Sequence, residues 1–264
     1  MGEVQKIGNV PAQASAAVRR RKRPDTVAEQ IRELIIDNGL MPGDRVPPGW
    51  IDPETWHVSR GTLREALKIL ESQGLTVSKT GPGGGVFVSS VEAEYAISLL
   101  DNLFLHEQPS IADIYAIRKE LEPRLAASLA GRLSPEAFAS LQATVRLYED
   151  EPVTAEEEYQ QRLSELDFHE ELAKLCENRL LGFLCRFLVS LLRDLAVCRD
   201  IYRQHNPELR ETGLHYQVAL LRAMKAGDAE RAAALMRDHM IAAETYMLAR
   251  AEIRRRARPK SDKP

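Results

Sequence analysis

Three of the six histidines, His169, His215 and His239, together with the carboxylate of Glu165, have spacings that suggest chemistry. Glu165 and His169 are four apart, so on a helix they share one face with their Cβ atoms about 6 Å apart, close enough to share a cation. His215 and His239 each lie twelve residues from Gly227. If that glycine is the bend of an antiparallel helical hairpin, the two rings sit at equal height, roughly 18 Å along each axis from the turn. Three imidazoles and a carboxylate suit a borderline divalent metal such as zinc, nickel or manganese. Spacing alone leaves a second reading open, in which these are core histidines satisfied by hydrogen bonds. Asp167 lies two residues from His169, about 200° around a helix, and is expected to face away. His57, His106 and His205 fall in stretches that read as loop or surface.

A second pair, Arg118 and Glu122, is also four apart. On a helix it is at least a salt bridge, worth a few tenths of a kcal/mol if exposed. Cys176, Cys185 and Cys198 are odd in number, have no CxxC spacing and lie in helical stretches, so they read as reduced core thiols.

The elements needed to position these groups are helices. From residue 91 onward apolar residues recur at helical period with almost no strand signal. Helices are predicted over 92–106, 110–130, 134–149, 154–177, 179–203, 207–226 and 228–255. Gly131, Pro135, Pro152, Asn178, Pro207 and Gly227 mark most of the boundaries. The expectation for 91–255 is an all-α antiparallel bundle of six or seven helices.

The first third reads differently. In residues 58–75, Leu63, Ala66, Leu67 and Leu70 form one apolar stripe, while Arg60, Arg64 and Lys68 fall four apart on a second, basic face. Ser59 can cap this helix and Gly74 can end it. Upstream, Val27, Ile31, Leu34 and Ile35 mark an amphipathic helix closing at Asn38 and Gly39. Downstream, 75–79 and 86–89 are short β-rich runs around the glycines of 81–85, a hairpin with a glycine tip. Helix, helix, cationic helix and hairpin is the order of a winged helix-turn-helix, predicted over 26–90, in which the cationic helix enters a major groove. The plainer reading of such a face is solvated surface.

Here the sequence resembles a family. The stretches AEQIRELI, LMPGDRV, VSRGTLREALKILESQGL and GPGGGVFV are similar to the DNA-binding region of the GntR transcriptional regulators. The resemblance implies that Arg60, Thr62, Arg64 and Lys68 contact operator DNA and that the Gly83 and Gly84 tip approaches the minor groove. One segment departs from the pattern: Pro48 to Trp56 replaces the motif's usual first helix, with Trp50 where the family has an arginine. Proline inside a helix removes a bond, so that helix is expected to be short, starting at Pro53 with Asp52 as its cap.

Further on, IRKELEPRLAASLA, ELDFHEELAKLCEN and LLRAMKAGDAERAAALMRDHM resemble the FCD ligand-sensing domain of the FadR subgroup. Many such domains hold a metal, and the resemblance maps its ligands onto Glu165, His169, His215 and His239. It also places Arg118 in the pocket, forking onto an effector carboxylate. Glu165 stands where the family usually has Asp, moving the carboxylate by about 1.5 Å, the length of one added methylene. Leu214 stands where Glu is frequent, removing a group that would orient a ligand.

The net charge of -3 does not advertise nucleic-acid binding, so its distribution matters more. The first 90 residues carry 12 basic and 10 acidic side chains, and the remainder 24 and 29. Within the first third, Arg19 to Arg23 form a basic run in a disordered arm expected over 1–25, suited to tracking phosphates. A basic tail is expected over 256–264. The longest apolar run, 180–192, is interrupted by Gly182, Arg186 and Ser190, and the first 24 residues lack an apolar core. A cytoplasmic protein without a membrane span is expected.

The whole predicts a mainly α, two-domain homodimer that is not an enzyme. It would be a DNA-binding regulator, of repressor type, responding to a small carboxylate effector. Two alternatives are a ligand-binding dimer whose head no longer recognises DNA, and a metal-dependent enzyme in which the three histidines activate water.

Overall fold

A computed structural model describes residues 23–90, 92–146 and 150–257. The chain divides into two compact units, 1–92 and 93–264. The basic run at 19–22 and the end of the tail at 258–264 lie outside the described residues.

In the first unit, α1 (Arg23–Asp37) buries Val27, Ala28, Ile31 and Ile35. It begins inside the stretch expected to be an arm, and Arg23 donates to the His57 carbonyl at 2.9 Å. Helix α2 (Arg60–Ser72) buries Leu63, Ala66 and Leu70. Its start is fixed by Ser59, whose hydroxyl accepts from the Thr62 N–H at 3.1 Å, satisfying one of the orphan donors of the first turn. Strands β1 (Thr76–Lys79) and β2 (Gly85–Val88) pair antiparallel, Thr76 opposite Val88 and Lys79 opposite Gly85. Residues 43–46 run along the other side of β2: Gly43 N–H donates to Val88 O, and Val46 N–H to Val86 O, both at 2.9 Å. Val46, Val86 and Val88 thereby close the core between the helices and the hairpin.

The short helix expected from Pro53 does not form. Pro48–Ile51 is a 3-10 turn, and residues 53–57 make a single hydrogen-bonded turn. Asp52 does accept from the Glu54 N–H at 3.1 Å, as a cap would. Propagation stops because His57 takes a positive φ of 48°, a conformation that ends helices. Trp56 instead donates its indole N–H to the Trp50 carbonyl at 2.7 Å, folding the segment back on itself.

The second unit contains eight helices among the described residues: α3 (Ala93–Asp101), α4 (Ile111–Leu129), α5 (Pro135–Arg146), α6 (Ala155–Lys174), α7 (Arg179–Asp194), α8 (Ala196–Tyr202), α9 (Pro207–Ala226) and α10 (Ala229–Ala257). Ser110 with Asp113, and Thr154 with Glu157, form capping boxes that set where α4 and α6 begin. Gly227 closes α9 in the left-handed conformation, and Asp228 accepts from the Arg231 N–H at 2.9 Å to open α10. The single helix expected over 179–203 is two, broken at Leu195, whose ψ of 121° is extended. No glycine or proline marks that break. It allows Leu195, Cys198, Ile201 and Tyr202 all to bury in the core formed by α4, α6, α7, α9 and α10. Among the described residues no helix is long and apolar enough to cross a membrane.

Candidate functional site

In the first unit Arg60, Arg64 and Lys68 are exposed along one face of α2, opposite Leu63, Ala66 and Leu70. Thr62 is half-buried beside the cap, its hydroxyl 2.9 Å from that of Ser59. Gly83 is exposed at the wing tip with a φ of 79°, which favours glycine. At Gly84 a Cβ would fall 2.6 Å from the Lys79 carbonyl oxygen, so the turn closes only without a side chain. Arg45 was not anticipated. Its guanidinium donates to the Gly84 carbonyl at 2.8 Å and fills the space beside Gly85, where a Cβ would meet its Nε at 2.8 Å. The missed signal was that the turn after α1 leads into a third extended segment against the wing.

In the second unit a small cavity of about 20 Å³ is walled by Arg118, Arg162, Glu165, His169, Tyr202 and His239. Arg118, 1% exposed, forms a hydrogen-bonded ion pair with Glu122 through its Nε, and its Nη2 has no hydrogen-bond partner. The other Glu122 oxygen lies 2.6 Å from His169 Nδ1. His169 Nε2 in turn lies 3.1 Å from His239 Nε2, with the rings nearly parallel. Glu165 pairs with Arg162 at 2.8 Å, and its Oε1 is 4.0 Å from His239 Nε2. A buried chain of polar side chains therefore runs from α4 through α6 to α10.

Burial shapes its electrostatics. Desolvation would raise the Glu122 carboxyl, but Arg118 and His169 outweigh it and hold it down at about 2. Desolvation, reinforced by His169 and Arg118, pushes His239 well below its ordinary range, so its ring is neutral. Burial raises the Cys185 and Cys198 thiols to about 12, and all three cysteines are free and buried, which makes them poor nucleophiles.

His215 does not join this cluster. It is exposed, and its ring rests beside its neighbour Tyr216, whose own ring lies 5.3 Å from that of His239. The inward face of α9 is Gly213, Gln217, Leu220, Leu221 and Met224, and His215 is two residues, about 200°, from both Gly213 and Gln217. Equal distance from the Gly227 bend sets the height of His215 but not the direction in which it points. The expected cage of Glu165, His169, His215 and His239 is thus not assembled. Among the described residues no three His, Cys, Asp or Glu side chains are grouped to hold a cation, so these residues do not fit the zinc, nickel or manganese centre expected. Two buried groups were missed as parts of the site, Arg162 and Gln217, while Glu122 pairs with Arg118 as expected and also meets His169. Arg162 was legible as a cation three residues before Glu165.

An exposed cationic helix in a winged helix-turn-helix unit, followed in the chain by an all-helical unit, is the layout of a DNA-binding transcription regulator. Residues 24–88 match the gntR family of bacterial regulatory proteins, and residues 113–242 match the FCD domain. The chain belongs to the GntR family of transcriptional regulators, in the FadR-like group that carries an FCD domain.

It is 30% identical to the HTH-type regulator RmpR of Mycobacterium gastri, over 83% of this chain and 78% of that protein. It is 26% identical to the regulator LutR of Bacillus subtilis, over 81% and 96%. The same identity relates it to an L-lactate dehydrogenase operon regulatory protein of Escherichia coli, over 86% and 87%. Among solved structures, a Streptococcus agalactiae GntR shares the fold with a TM-score of 0.59 at 22% identity, over 84% of this chain and 99% of that one. The family and these relatives are regulators rather than enzymes.

Proposed function

We propose that the chain is a cytoplasmic, homodimeric repressor that grips a two-fold operator with Arg60, Thr62, Arg64, Lys68 and the Gly83 and Gly84 tip. It lets go when a small organic acid enters the cavity at Arg118. The observation that carries the sensing half is the Arg118 Nη2 group, buried in the cavity wall without an acceptor. A buried, unsatisfied guanidinium donor is costly, and a carboxylate is the ligand whose two oxygens match its fork. A cavity of about 20 Å³ has room for roughly one water. Even a two-carbon acid must spread the surrounding helices, and that rearrangement is the differential contact through which an effector acts. The dimer follows from size, since one winged helix covers too few base pairs to be selective. Repression released by ligand is carried by the resemblance alone.

The test is fluorescence anisotropy with duplex DNA from upstream of the chain's own reading frame, across a salt series and then with L-lactate, glycolate, pyruvate and malonate. Saturable, salt-sensitive binding that weakens with one of these acids is expected. Binding indifferent to all four would contradict the sensing half. A second reading, a head that no longer recognises an operator, is favoured by the turn at Pro48–Ile51 that replaces the motif's first helix. Equal affinity for upstream and scrambled duplexes would favour it.

A further inference from the structure

We infer that this sensor takes its carboxylate directly on Arg118 and Arg162, with no resident divalent cation, because α9 offers an amide, Gln217, where a third imidazole would have to stand. The inference rests on the carboxylate reading above and deepens it.

Gln217 is fully buried on the inward face of α9, and its Nε2 donates to the Glu165 carbonyl at 3.4 Å. It therefore faces the stretch of α6 that carries Glu165 and His169. Its Oε1 has no partner. A neutral amide oxygen is a poor substitute for imidazole at a zinc or nickel centre. Glu165 is committed elsewhere, since its carboxylate pairs with Arg162 and occupies the space beside Gly213. A Cβ there would lie 2.6 Å from Glu165 Oε1. The two imidazoles that remain face each other at hydrogen-bonding distance, with His169 held from behind by Glu122. Two guanidiniums line the same small cavity. Each is paired with a carboxylate, so what they offer an anion is donors: Arg118 Nη2 and Arg162 Nε are buried without a hydrogen-bond partner.

The test uses the full chain. Zinc, nickel and manganese are each titrated in native mass spectrometry and calorimetry. Thermal shifts with L-lactate, glycolate, pyruvate and malonate are then read with and without EDTA. Wild-type protein is expected to hold well under one metal per chain, and the acid that binds should do so with a Kd unchanged within about twofold by EDTA. Gln217→His should tighten zinc binding by at least about 10-fold, the low end of the scale on which even the groups behind a metal's ligands act. His215→Gln should leave metal affinity where it was. A stoichiometric metal in wild-type protein, or loss of the acid response on chelation, would overturn the inference. So would a fall in metal affinity in the His215 variant. These readouts on wild-type protein and the His215 variant decide the matter even if Gln217→His does not fold. Failure of every acid, with metal and without, would sink the carboxylate reading itself, whereas dependence on metal would sink only this step beyond it.

Discussion

Arg64 and Arg118 are the same side chain in opposite surroundings. In the head, Arg64 stands in water on the outer face of α2, in a row with Arg60 and Lys68. In the sensor, Arg118 is buried against Glu122, over the Tyr115 ring at 5.1 Å. Desolvation works against its charge, and Glu122 with Tyr115 outweighs that and keeps it ionised. An exposed cation costs the fold almost nothing and is available to a large anion such as DNA. A buried one must be paired, so its loss is felt first as stability and only then as binding.

The largest expected effect separates the two. Arg118→Ala leaves Glu122 buried beside His169 without its main partner, and should cost the sensor about 3 to 5 kcal/mol. The chain's two tryptophans, Trp50 and Trp56, are both in the head. Urea unfolding read by far-ultraviolet dichroism should therefore move, while the tryptophan fluorescence transition stays put. A shift in both would mean the regions are not independent.

Next is Gly213→Ala, whose methyl would collide with the Glu165 carboxylate. Overpacking of this kind costs about 1 to 3 kcal/mol. Adding Glu165→Asp, one methylene shorter, should recover most of it, and simple additivity in that double-mutant cycle would show the contact to be unimportant. Arg64→Ala should weaken specific operator binding by about 1 to 3 kcal/mol if it reads a base edge. Its unfolding midpoint should barely move, because surface changes stay within about 0.5 kcal/mol. Equal loss on all duplexes would make it a phosphate contact instead.

The smallest effect concerns pH. His239 titrates below its ordinary value of 6.5 in the folded chain, so the unfolded state takes up that proton first. Its contribution to stability is complete above that value and is lost as pH falls below it. The sensor's urea midpoint should therefore drop between pH 7.5 and 5.5, and His239→Gln should flatten that drop. An unchanged slope would place the responsible group elsewhere.

The same contrast explains what was legible in the sequence. Helix α2 could be read from end to end because its cap at Ser59, its stripe through Leu63, Ala66 and Leu70, and its stop at Gly74 are all local. The wing hairpin was legible for the same reason. Two departures carry no signal in residue type: the break at Leu195 has no glycine or proline, and the turn after Pro53 is stopped by the positive φ of His57 and fastened by the Trp56–Trp50 hydrogen bond. At the sensor site, Glu165, His169 and His239 do come together, since an i,i+4 pair and a hairpin partner are set by helix geometry. His215 failed because equal distance from a bend fixes height alone. The run of Gly213, Gln217, Leu220 and Met224 held the missing angle, but a glutamine on an inward stripe does not announce itself as buried.

The most direct measurement is operator affinity as a function of carboxylate concentration for wild-type protein and Arg118→Lys. Lysine keeps a charge beside Glu122 and so preserves the fold, but it cannot present a fork. Both proteins are expected to bind the upstream duplex alike, with the variant needing at least about tenfold more acid to respond, the scale of losing one charged hydrogen bond. An identical acid response in the two proteins would contradict it.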